Sequence, residues 1–72
     1  MRQLIGIGHM KVRDLIRLLE REGWQHVRTS GSHRQFRHLT KRGTVTVAGK
    51  PSIDVPAGTL SSILKSAGLK KA

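Results

Sequence analysis

The sequence predicts an α+β domain in the order α-β-β-β-α, with a three-stranded antiparallel sheet carrying both helices on one face. Three observations predict it: a helical stripe of apolar residues near each end of the chain, a glycine closing each stripe, and three short strand-like segments between them. With 72 residues there is room for one domain and a thin core. Recognisable periodicity begins after residue 9. Residues 10–72 are therefore expected to form the domain and residues 1–9 an N-terminal extension, either native or an expression remnant, with Met10 as a possible internal start.

In the first stripe Val12, Leu15, Ile16 and Leu19 follow the i, i+3, i+4, i+7 spacing of one helical face, within a helix expected over Lys11–Glu22. Gly23 suits the left-handed position after a helix end, and Trp24 can then pack back on Leu19. Leu60, Ile63, Leu64 and Ala67 repeat the design near the C-terminus, with Gly68 as the closing glycine and Leu69 packing back on Leu64. Pro56 is acceptable near that helix start, where a missing N–H is no loss.

The strand segments are Trp24–Thr29, His33–Phe36 with an extension toward His38, and Thr44–Ala48. Ser30-Gly31 and Lys41-Arg42-Gly43 supply turn chemistry between them. Short strands joined by tight turns favour antiparallel pairing with the helices together on one face. That is the arrangement of a double-stranded-RNA-binding-like fold.

Strand side chains alternate between faces. Phe36 anchors the middle strand to the helices, so His33, Gln35 and Arg37 face away, while Arg34 and His38 share the parity of Phe36 and should escape to water at the strand ends. In the first strand Val27 is expected inward, which sends His26 and Arg28 outward; in the third, Val45 and Val47 go inward and Thr44 and Thr46 outward. The helix-free face would then collect His26, Arg28, His33, Gln35, Arg37, Thr44 and Thr46. An exposed sheet face has to be polar in any case, so the face alone does not establish a binding site.

Charge tips the balance toward anion binding. Fourteen Lys and Arg oppose four Asp and Glu, a net charge of +10 spread along the whole chain. Nucleic acid is the commonest partner for such a chain; a membrane surface or an acidic protein are the alternatives. There is no cysteine, and no apolar run long enough for a signal-peptide core or a membrane span, so a soluble cytoplasmic protein is expected. There is neither an HExxH motif nor a P-loop. Metal-dependent phosphoryl chemistry usually needs clustered carboxylates. Three of the four carboxylates here, Asp14, Glu20 and Glu22, fall on one helix and the fourth, Asp54, lies elsewhere, so neither a metal nor a cofactor is expected.

Metal-free RNA cleavage remains within reach, because the ribose 2′-OH is itself the nucleophile. The protein need only move protons, which suits histidine, and stabilise negative charge, which suits Arg and Lys. Taken without context, any one of His9, His26, His33 and His38 is more often a plain surface residue than a catalyst.

The segment Gly31-Ser32-His33-Arg34-Gln35-Phe36 resembles the GSHxxF signature of the HicA family of toxins. The flanking pieces agree in order: Val12-Arg13-Asp14-Leu15-Ile16 and Leu19 with the opening helix, Gly23-Trp24 with its end, Gly43-Thr44-Val45-Thr46-Val47 with the third strand, and Pro56, Gly58-Thr59-Leu60, Ile63-Leu64-Lys65 and Ala67-Gly68-Leu69 with the closing helix. The resemblance covers about residues 10–69. It implies a double-stranded-RNA-binding-like fold and a metal-independent endoribonuclease that cleaves mRNA and halts translation and growth. It also implies a HicB-type antitoxin that covers the active site, and His33 as the catalytic residue. Arg28, Ser32, Arg34, Gln35, Arg37 and Lys41 are the candidate RNA-binding residues beside it. Many relatives carry a second histidine directly after the catalytic one, where this chain has Arg34. A non-catalytic RNA-binding module of the same fold, and a basic protein that only binds an acidic partner, are the other readings. Cleavage that persists in EDTA would exclude the RNA-binding module, whereas complex formation with an acidic protein would not discriminate.

Overall fold

Helix α1 (Val12–Arg21) leads into strands β1 (Trp24–Ser30), β2 (His33–His38) and β3 (Thr44–Ala48), and helix α2 (Ala57–Ser66) closes the chain. This is the expected α-β-β-β-α order, seen in a computed structural model that describes residues 10–69. The expected N-terminal extension, residues 1–9, lies outside the described residues. The strands form one antiparallel sheet in the order β1-β2-β3.

The core shows why both helices share a face. Val12, Leu15 and Leu19 of α1 and Leu60, Ile63 and Leu64 of α2 are buried in one cluster with Phe36, Val45 and Val47. Those last three residues have one strand parity. Ile16, Leu18 and Leu69 pack on the flanks of the cluster, half-buried. Trp24 is also buried within it, as its expected contact with Leu19 requires, and its ring meets His38 edge-on at 5.3 Å.

Both helices end as their glycines predict. Gly23 has φ +96°, and Gly68 completes a Schellman motif in which Leu69 N–H donates to the Leu64 carbonyl at 2.8 Å and Gly68 N–H to that of Lys65 at 3.1 Å. The start of α1 is different. Lys11 offers no side-chain cap, and the first-turn N–H groups of Val12 and Arg13 donate instead to the carbonyls of Ile53 and Pro51, at 2.9 and 3.1 Å. Val55 N–H donates to the Met10 carbonyl at 2.8 Å, and Lys11 bridges Asp54. The β3–α2 connection is thereby stitched to the start of α1 by backbone bonds.

One expectation fails in β1. The pairing runs Trp24–His38, Gln25–Arg37 and His26–Phe36, then jumps to Arg28–Gln35, so Val27 is the extra residue of a β-bulge. Val27 is half exposed instead of pointing into the core. The inserted residue also reverses the alternation. His26 therefore lies on the Phe36 side, with ring centroids 5.5 Å apart, and not on the helix-free face. It is anchored there by a 2.6 Å hydrogen bond to Thr29 Oγ1. Arg28, beyond the bulge, keeps the outward position expected of it.

Candidate RNA-cleaving site

Gly31 and Ser32 form a two-residue hairpin turn between β1 and β2. Gly31 adopts φ +61°, the left-handed region that such a turn requires at its first position. The turn makes His33 the first residue of β2. Three residues on, opposite parity drives Phe36 into the core, where it is fully buried. The spacing from histidine to phenylalanine thus has a mechanical meaning: burying Phe36 turns His33 outward. His33 is exposed, flanked across the ladder by Ser30 and Ala48.

Behind His33 the outward face is built in rows. Arg28, Gln35 and Thr46 form the next row, and Gln25, Arg37 and Thr44 the one after. Arg28 and Arg37 are exposed, whereas Gln35 is half-buried. Neighbouring rows stand about 6.6 Å apart along a strand. None of the four acidic residues lies on this face. Asp14 and Glu20 are on α1, Glu22 caps it, and Asp54 sits in the β3–α2 connection beside Lys11 at 3.3 Å. The sheet face is therefore cationic without internal neutralisation, which suits a polyanion.

Two candidate RNA-binding residues occupy other positions. Arg34 lies on the helix side of the sheet, half-buried, and its Nη1 donates to the Gly49 carbonyl at 2.8 Å. Gly49 N–H in turn donates to the Ser32 carbonyl at 3.2 Å. Arg34 thus clamps the loop after β3 onto the turn that carries His33. Lys41 lies beyond the far end of β2, about 17 Å or more from His33 at the rise of a strand. Its Nζ donates to the Ala67 carbonyl at the end of α2, at 3.0 Å. His38 does the same for α1: its Nδ1 accepts the N–H groups of Thr40 and Lys41, so its proton sits on Nε2, 3.0 Å from the Glu22 carbonyl it bonds. Arg34 and His38 were expected to reach water at the strand ends. Each instead finds a backbone carbonyl left without a partner by its own chain segment.

A groove of about 530 Å³ opens directly beside His33, at the free edge of β3. Its walls come from Ser32 and His33, from β3 through Gly49, from Val55 and Pro56, and from Thr59 and Ile63 of α2. Apart from His33, no lining residue is ionisable. Sequence reasoning missed this groove because it is assembled from four separate segments. Among the described residues, no group of three or more His, Asp or Glu lies close enough to hold a metal ion, and no helix is long and apolar enough to cross a membrane.

The described residues form a small α+β domain with one bare cationic sheet face and an exposed histidine heading its middle strand. The particular family is established by sequence. A family model described as the HicA toxin of bacterial toxin–antitoxin systems matches residues 12–69, and the chain belongs to that family. No curated protein sequence matches it. The chain is accordingly the toxin of a toxin–antitoxin pair.

Proposed function

We propose that this toxin is a metal-independent endoribonuclease acting on mRNA, with His33 as its catalytic residue. The observation that carries this reading is the position of His33, exposed at the head of β2 on a face with basic and no acidic side chains. RNA supplies the nucleophile. His33 serves proton transfer: as the 2′-OH loses its proton, O2′ bonds to phosphorus, the P–O5′ bond breaks, and the departing O5′ takes up a proton. The products are a 2′,3′-cyclic phosphate and a 5′-hydroxyl. One well-aimed histidine contributes about 10²–10⁴-fold to such a step. Arg28 and Arg37, with Gln35 and Ser32, hold the backbone and offset the charge of the phosphorane. Arg34 and Lys41 contribute positive field while their tips hold protein carbonyls. DNA, lacking the 2′-OH, is not cut.

The antitoxin is of the HicB type and covers this same face, with acidic groups set against Arg28 and Arg37. Expression of His33→Ala beside the wild type tests the central claim: wild type should arrest growth and degrade RNA, and the variant should do neither. Equal arrest and degradation by both would sink the assignment. Cleavage by the purified toxin should persist in EDTA; RNA bound but left intact would instead make the domain a non-catalytic RNA-binding module.

A further inference from the structure

The groove beside His33 has a chemistry unlike the face around it. The sheet face is cationic, whereas the groove carries no Lys, Arg, Asp or Glu. Its floor is aliphatic, with Val55 and Ile63 almost fully buried, and hydroxyls of Ser32 and Thr59 stand along it. Apart from His33 in its wall, a phosphate finds no ionisable partner there. A flat, neutral group with apolar faces and hydrogen-bonding edges finds both of its requirements. The volume falls within the range of about 300–1,000 Å³ usual for small-ligand sites.

From this we infer that the groove is a nucleobase subsite, holding the base of the nucleotide whose 2′-OH meets His33. The inference deepens the nuclease reading and rests on it only for which nucleotide is held. In-line attack requires O2′ to lie opposite O5′ across phosphorus, a geometry that stacked A-form RNA does not offer. The reacting nucleotide must rotate out of the stack, and a base so released needs a surface to bind. Sequence-selective proteins take up such splayed bases from single strands. The groove lies within one side-chain length of His33, because His33 is part of its wall. The loop forming the opposite wall is held by Arg34 and by the backbone bonds to the start of α1, so the site exists before RNA arrives.

The test is amide NMR of the full chain titrated with each of the four nucleoside 3′-monophosphates and, separately, with ribose 5-phosphate. The amides of Ala48, Thr59 and Ile63 should shift with at least one nucleotide and stay still with the sugar phosphate. Thr59→Trp, which fills the groove from an exposed helix position, should weaken that binding by about tenfold or more. Groove amides silent to all four nucleotides, or equally responsive to ribose 5-phosphate, would overturn the subsite. Response only to the antitoxin would also overturn it and give the groove to a protein side chain. His33→Ala separates the two readings: if that variant still cleaves RNA while the nucleotide shifts persist, the catalytic assignment of His33 falls and the base site stands. If the variant is inactive and wild-type groove amides are silent, the subsite falls alone.

Discussion

At the scale of single residues, exposure and hydrogen bonding separate chemistry from architecture. His33 is exposed and belongs to no core contact, so His33→Ala should abolish cleavage while moving the thermal midpoint by less than the shift expected for about 0.5 kcal/mol, measured by circular dichroism. Gly23 is the reverse. Its φ of +96° is costly for any L side chain, and a Cβ there would stand 2.7 Å from His38 Nε2. Gly23→Ala should therefore cost about 1–3 kcal/mol in denaturant unfolding and leave per-molecule cleavage by the folded protein intact. Arg34 falls between the two. Arg34→Ala frees the Gly49 carbonyl and loosens the turn that carries His33, so it should lower both stability and the rate of cleavage. A variant with unchanged stability and only weaker RNA binding would show that Arg34 acts as a phosphate contact alone.

At the scale of elements, the bulge in β1 makes a prediction that a regular strand would not. Val27, half exposed at the bulge, should accept Thr within about 0.5 kcal/mol, whereas Val47→Thr buries a hydroxyl and should cost about 1–3 kcal/mol. Equal costs at the two positions would place Val27 in the core and remove the bulge. The helix ends make a second element-level case. Both are held from the far end of β2 and the connection after it, α1 by His38 and α2 by Lys41. A cation at a helix C-terminus stabilises it by about 0.3–1 kcal/mol at exposed sites. Lys41→Met should thus destabilise the fold by that amount while hardly changing cleavage, in contrast to the arginines of the sheet face.

For the whole molecule, charge decides how the toxin meets its partners. The net charge of +10 is distributed so that the sheet face keeps basic side chains and all carboxylates lie elsewhere. RNA affinity should fall steeply with salt. Removing Arg28 or Arg37 should reduce the slope of log K against log salt by about 0.7 each for single-stranded RNA, read from binding titrations at several ionic strengths. Lys41→Met should change that slope less, because its ammonium already holds the Ala67 carbonyl. An antitoxin that covers the same face should compete with RNA and share the salt dependence.

Several features were determined by the amino-acid sequence alone, because they depend on neighbours within a few residues. The spacing of apolar residues on α1 and α2 set which faces are buried, Gly23 and Gly68 marked where the helices stop, and Gly31-Ser32 with Phe36 oriented His33 outward. The family was legible in the same local motifs, and the match over residues 12–69 agrees with them. Only the tertiary structure decided the rest. The bulge at Val27 is a mismatch between two strands and has no signature within one, so the alternation held for Arg28 after the slip and failed for Val27 and for His26 before it. Arg34, His38 and Lys41 read locally as free polar side chains; their partners are carbonyls 15 to 26 residues away, just past the ends of β3, α1 and α2. The groove beside His33 exists for the same reason. Its walls come from segments that meet only after α1, the sheet and α2 have closed on one core, and no short stretch of sequence carries its shape.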